Sequence, residues 1–180
     1  TLQIIEEDTR KVVEEWKTTK EAISFRNLET QKEYIIQEIK PAAGYVTANA
    51  HSFILTEEGT LILDGKEQKS QMITMDTQKT KIQINWVDEE TKEPVEGAKL
   101  ALYSKETERK IVEWETHSNG QQIIGLPIGS YRLEQTYTPT ENGYVTSSGE
   151  KLEVQDTEKE QIITKEQKLT RMQIEVLDKQ

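Results

Sequence analysis

The chain contains no cysteine. That absence removes disulfides, thiol nucleophiles and zinc–thiolate sites together. Histidine is nearly absent as well. His51 and His117 each stand without a second histidine or a cysteine at ligand spacing, so both read as surface or turn residues and no metal site is expected. Positive charge is in deficit, with 23 Lys and Arg against 33 Asp and Glu and a formal net charge of -10. Such a surface repels a phosphate backbone and no basic stripe offsets it, which argues against nucleic acid as a partner. The acidic clusters Glu6-Glu7-Asp8, Glu57-Glu58 and Asp88-Glu89-Glu90 lack the alternating oxygens and central glycine of a calcium loop, and read as solvated turns. No apolar run approaches the roughly 18 residues of a spanning helix, so no membrane insertion is expected in this segment. No GxSxG, HExxH, phosphate-loop or dinucleotide fingerprint occurs, which leaves hydrolase and transferase readings without support and implies no cofactor.

What the chain does have is a repeat. YIIQEIKPAAGYVTA (Tyr34 to Ala48) returns as YRLEQTYTPTENGYVTS (Tyr131 to Ser147). Trp16 matches Trp114 at an offset of 98, Asn27-Leu28 matches Gly125-Leu126 at the same offset, and Gly44-Tyr45-Val46-Thr47 matches Gly143-Tyr144-Val145-Thr146 at 99. TKIQINWVD (Thr80 to Asp88) matches TRMQIEVLD (Thr170 to Asp178) at 90. The repeating unit is therefore a domain of roughly 90 residues. The expected division is 1–79 for a first domain without its opening strand, 80–168 for a complete second domain, and 169–180 for the first strand of a third repeat. That phase points to a piece of a longer array, whose partners are neighbouring repeats of the same protein.

Within the complete copy the apolar period is two. Ile82, Ile84 and Trp86 share one face of KIQINWV, and Tyr131, Leu133 and Gln135 share one face of YRLEQ, the mark of half-buried strands. Glu96-Gly97, Ser118-Asn119-Gly120, Pro127-Ile128-Gly129 and Asn142-Gly143 supply turns about every ten residues. The fold class that follows is all-β, an antiparallel sandwich or barrel. TRKVVEEWKTTKEA runs against this, because Val12, Val13 and Trp16 fit an amphipathic helix. The second copy places IVEWETHSNGQQI there, with an Asn-Gly turn behind the tryptophan, so both segments are expected as strands. Trp16 and Trp114 are expected at equivalent packing positions.

VDEETKEPVEGAKLALYS followed by VEWETHSNGQQIIGLPIGSYRLEQTYTPTENGYV resembles the B-type repeat domain of collagen-adhesin-like surface proteins, the SpaA-like prealbumin-type domain. The first copy resembles it through VVEEWKTT, FRNL and EYIIQEIKPAAGYVTANAHSFIL. The resemblance rests on three boxes in order, a "pGA" box, "GLPxGxY" and "YxLxExxxPxGY". It implies tandem prealbumin-like, immunoglobulin-like β-sandwich domains in stalks or pilins on the Gram-positive cell wall, outside the cell. In many members it also implies an isopeptide bond, joining a first-strand lysine to a last-strand Asn or Asp, with a buried Glu relaying protons. The physical basis is that burial favours the neutral amine and the protonated carboxyl, which then condense in contact and away from water.

Carried over by position, the resemblance divides the two copies. In the second domain Trp86 holds the lysine's place, Gln135 the Glu's, and the acceptor's place falls near Glu166, so this domain is expected to lack the crosslink. In the first domain Glu38 holds the relay position and Asp76 in QMITMD fits the acceptor, while the lysine would lie upstream of Thr1. Val176 stands at the lysine position of the third strand. The implied function is a structural stalk or spacer projecting an adhesive tip, with no enzymatic turnover. The alternative is a binding module for host extracellular matrix protein or glycan, through an edge strand or an aromatic patch at Tyr45, Tyr137 or Tyr144.

Overall fold

Strands form where apolar and polar residues alternate, and the alternation decides which face each strand buries. In the computed structural model, which describes residues 1–176, two compact units result: residues 1–79 with 156–158, and 80–155 with the described residues from Lys159 onward. The first unit contains β1 (Leu2–Glu6), β2 (Val12–Trp16), β3 (Glu33–Glu38), β4 (His51–Leu55), β5 (Leu61–Leu63) and β6 (Lys66–Glu67). They form one sheet in the order β2-β1-β3-β4-β5-β6, antiparallel throughout. VVEEW is a strand, laid against β1 so that Trp16 lies opposite Leu2. β5 and β6 are joined by Asp64 (φ 48°) and Gly65 (φ 74°), the Asp-Gly pair that a tight hairpin turn favours.

The second unit contains β7 (Lys81–Asp88), β8 (Lys99–Ser104), β9 (Lys110–Glu115), β10 (Gln121–Ile124), β11 (Gly129–Tyr137), β12 (Glu150–Val154) and β13 (Gln161–Gln167). They make two sheets, β10-β7-β13 and β12-β11-β8-β9. Ile82, Ile84 and Trp86 of β7 meet Leu100 and Leu102 of β8, Tyr131 and Leu133 of β11, and Leu152 and Val154 of β12 in one core. Each fully buried aliphatic side chain there stabilises the unit by about 1.5–3 kcal/mol. One pairing departs from the antiparallel expectation: β13 runs parallel to β7 over seven positions, from Gln161 opposite Ile82 to Gln167 opposite Asp88. First and last strands of the unit thus lie side by side and point the same way.

Comparison of the units shows what β7 does. The first-unit core gathers Ile4, Tyr34, Ile36, Phe53 and Leu61 beneath its single sheet. Its segments 23–26 and 72–76, which stand where the second unit has β10 and most of β13, are not strands. Among the described residues no counterpart of β7 stands between them. Of the expected first strand of a third repeat, residues 170–176 are described and are not in a strand, while Asp178 lies outside the described residues.

Gly120, in the turn between β9 and β10, shows how closely that turn approaches β7. Its φ is +66°, and an added Cβ would meet Asn85 Oδ1 and Gln83 Nε2 and sit 2.7 Å from the Ile84 carbonyl oxygen. Gly97 has a similar φ of +78° with nothing within 4 Å. Gly97→Ala therefore isolates backbone strain, while Gly120→Ala adds a clash with main chain. In denaturant melts Gly120→Ala is expected to destabilise the second unit by more than about 1 kcal/mol beyond the loss seen for Gly97→Ala.

Candidate functional site

Three strands of the second unit each deliver one side chain to the same buried point. Trp86 continues the inward set of β7, Gln135 the inward set of β11, and Gln167 ends β13. Gln167 is fully buried, and Trp86 and Gln135 are 4% and 8% exposed. Trp86 donates Nε1–H to Gln167 Oε1 at 2.9 Å, and Gln135 donates Nε2–H to the same oxygen at 2.6 Å. Gln167 returns a bond from Nε2 to the Val145 carbonyl, and Gln135 Oε1 accepts the Ser147 amide at 2.7 Å. One amide thus ties first strand, last strand, β11 and the Tyr144–Ser147 segment together with no charge. Among the described residues no buried side-chain nitrogen or oxygen lacks a partner. Closure matters energetically, because a satisfied hydrogen bond contributes about 1 kcal/mol net, whereas a buried group left unpaired costs about 1–3 kcal/mol.

The first unit holds a carboxylate in the same place. Glu38, half-buried at the end of β3, accepts the Ala48 amide on Oε2 at 2.8 Å. Ala48 follows Tyr45-Val46-Thr47 as Ser147 follows Tyr144-Val145-Thr146, so Glu38 and Gln135 grip equivalent backbone amides. The tyrosines that precede them also correspond. Tyr34 OH accepts the Glu29 amide and Tyr131 OH donates to the Pro127 carbonyl, each anchoring its strand to the loop before it.

Among the described hydrogen bonds and ion pairs, none joins Asp76 to Glu38. Asp76 is exposed and outside any strand. The chain leaves both units in the same way: Val46 N–H bonds the Gln78 carbonyl as Val145 N–H bonds the Lys168 carbonyl. On that register Asp76 corresponds to Glu166, and Thr77 to Gln167. Glu166 itself points outward and pairs with Lys92 at 2.5 Å. The residue that meets Trp86 and Gln135 is thus its neighbour Gln167. The parity of QIITKEQ carried that signal, since Gln167 falls on the same side as half-buried Ile163, whereas Glu166 falls with exposed Ile162.

Trp16 and Trp114 occupy matching positions, opposite Leu2 and Leu100, and both pack on their own cores. Tyr144 packs against the second core, and Tyr137 is exposed. His51 binds Asp64 at 2.7 Å, and His117 is exposed in its turn. At the end of β7, Asp88 Oδ1 accepts the Thr91 and Glu90 amides at 2.8 Å each, and these bonds hold its carboxyl below the ordinary aspartate range. Burial, with Asp88 beside it, raises the Tyr144 hydroxyl above its usual value.

A family model described as SpaA, prealbumin-like fold domain, matches residues 1–69 and again residues 80–169. No curated protein sequence matches. Among solved structures, the Bacillus anthracis TIE protein is similar at 20% identity and a TM-score of 0.49, over 93% of this chain and 30% of that one. The group B streptococcus pilus 2b backbone protein is similar at 18% identity and 0.41, over 73% of this chain and 51% of that one. The shaft pilin SpaA from Lactobacillus rhamnosus GG is similar at 14% and 0.39, over 79% and 66%. The chain spans about a third to two thirds of the length of these structures.

Replacing Gln167 by Leu keeps volume but strands two buried donors, so a loss of about 2–4 kcal/mol is expected in the second unit. Glu166→Gln removes only an exposed ion pair and is expected to cost under about 1 kcal/mol. Denaturant midpoints of the two variants, compared with the parent, check both.

Proposed function

The chain belongs to the SpaA prealbumin-like fold domain family, and from that premise we propose that it is a stalk segment of a Gram-positive surface protein, a spacer that holds an adhesive tip away from the cell wall. The observation that carries this reading is the direction of the β7–β13 pair. The second unit begins at Thr80, at the start of β7, and ends beyond Gln167, at the far end of the parallel β13. Tension applied through these ends pulls the two strands in opposite directions along their length. All seven paired positions are then loaded at once instead of opening in sequence, and the Trp86–Gln167 bond crosses between the same two strands. A spacer under pull needs that geometry; a ligand-binding module does not.

Within this reading the units resist tension by different means. The second relies on its uncharged clasp. In the first, Glu38 is the proton relay for a crosslink in the parent protein: the amine of a first-strand lysine attacks the Asp76 carboxyl carbon, an amide bond forms, and one water leaves. Residues 72–76 are not in a strand among the described residues, and a slip of one residue turns the Asp76 side chain to the other face.

Two measurements test these proposals. Pulled through handles at Thr80 and Leu169, the second unit is expected to resist a clearly higher force than when pulled through Thr80 and Gly125. Those two residues share a hydrogen bond of 2.9 Å and would open the β7–β10 pair from one end. Equal forces would refute the spacer reading, and saturable binding to immobilised collagen or a glycan array would favour the host-matrix alternative. The crosslink is read from the intact mass of a polypeptide extended upstream of Thr1, where loss of one water is expected and should vanish in Glu38→Gln and Asp76→Ala. A mass unchanged before substitution rejects it.

A further inference from the structure

The second unit turns two unlike faces to solvent. The outside of β12-β11-β8-β9 is a network of charge, with Arg132 paired to Glu108 and Glu134, Lys151 to Glu153, and Lys110 to Glu113. The outside of β10-β7-β13 is built otherwise. Its central rows are Gln122, Gln83 and Ile162, then Asn85 and Thr164, all uncharged. Charge is confined to the ends of this face, with Lys81 and Glu160 at one and the Lys92–Glu166 pair at the other. In a chain with 31% charged residues such a neutral centre stands out, and depletion of charge is the compositional mark of an interface core.

The relief of the face is its own complement. Ile124, beside Lys81, and Ile162, beside Gln83, are 54% and 67% exposed and stand out toward the Lys81 end. Toward the other end the surface sinks into a hollow of about 460 Å3 lined by Asn85, Val87, Pro94, His117, Ser118 and Thr164. The amides between them are complementary too. Gln83 Nε2 donates to the Asn119 carbonyl at 2.6 Å and to Asn85 Oδ1 at 3.2 Å. Among the described hydrogen bonds, Gln83 Oε1 and Asn85 Nδ2 have no partner, so one row keeps a spare acceptor and the next a spare donor.

We propose that this face binds the same face of a second copy of the chain, the two turned end for end about a two-fold axis that runs across the strands. Rotation about that axis sets β13 over β13 and exchanges the rows. Ile124 of each copy then lies over the hollow of the other, Ile162 against Thr164, and Gln83 Oε1 opposite Asn85 Nδ2. Copies that each carry a net charge of -10 repel one another, and a face with a neutral centre is where they approach at least cost. The contact is isologous and closes as a dimer. Three strands about five residues long present roughly 300 Å2 per copy. That is less than half of the ~800 Å2 per partner of a standard interface, so the pair is weak, with a dissociation constant of about 0.1–1 mM. Stalks reaching from two facing surfaces run in opposite directions, as this contact requires; that consequence alone rests on the spacer reading, and the contact itself does not.

Sedimentation equilibrium of the 180-residue chain up to millimolar concentration tests this, beside the double variant Ile124→Ser/Ile162→Ser and the control Ile111→Ser, whose exposed side chain lies on β9 in the other sheet. The parent and the control are expected to reach a monomer–dimer equilibrium, and the double variant to associate at least about tenfold more weakly. Ile124 and Ile162 are exposed, so melting of the second unit should be unchanged. Because the chain has no cysteine, single-cysteine variants report the orientation. Mixed in a glutathione redox buffer, Ile162→Cys is expected to crosslink to Thr164→Cys faster than to Gln122→Cys. The reverse preference means copies running the same way and overturns the proposal. A parent that stays monomeric at millimolar concentration, a mass that grows past the dimer, or undiminished association of the double variant overturns it equally. Pulling experiments read single copies, so the spacer reading and this contact stand or fall separately.

Discussion

A three-stranded sheet cannot exist without its middle strand, and in this protein the middle strand is the first one of the unit. β7 supplies hydrogen bonds on both edges, antiparallel to β10 and parallel to β13, and its inner face delivers Ile82, Ile84 and Trp86 to the core. Where it is present, two sheets close over twelve buried residues; where its counterpart is not among the described residues, one sheet covers a core of five. The flanking segments of the first unit keep their apolar residues but not their strand geometry. In the second unit the two segments beside β7 are strands, whereas among the described residues their counterparts in the first unit, 23–26 and 72–76, are not.

The buried polar point in the second unit follows from that arrangement. Bringing first and last strands together at their far end places Trp86 beside the final residue of β13 and within reach of Gln135. An ionised group there would meet a desolvation cost that a neutral amide avoids. Gln167 satisfies the site because its oxygen accepts two bonds and its nitrogen can still reach the Val145 carbonyl. The first unit tolerates Glu38 at the matching position, where the side chain is only half-buried and bonded to a backbone amide.

Much of this was legible in the residues. Period-two alternation marked β7 and β11, and the turn glycines marked the ends of strands. VVEEW was ambiguous because Val12, Val13 and Trp16 suit one face of a helix as well as an edge strand; pairing with β1 decides it. The parallel direction of β13 was not legible, since it depends on a partner far off in sequence. Gln167 was missed for a related reason. Offsets measured on other strands assign Glu166 to the acceptor's place, and a one-residue difference in parity exchanges an exposed ion-paired carboxylate for the buried amide that closes the network.

The pairing of first with last strand also sets a timetable for folding. Gln161 meets Ile82 across 79 residues of sequence, the kind of non-local contact that makes β-rich domains slow to form. On a ribosome β7 emerges first and waits for β13, so its apolar face stays open to wrong partners through almost the whole synthesis of the unit. Lys81, Gln83 and Asn85, interleaved with Ile82, Ile84 and Trp86, keep one face of the waiting strand polar. The same alternation that lets the strand be half-buried at the end is what keeps it soluble until its partner arrives.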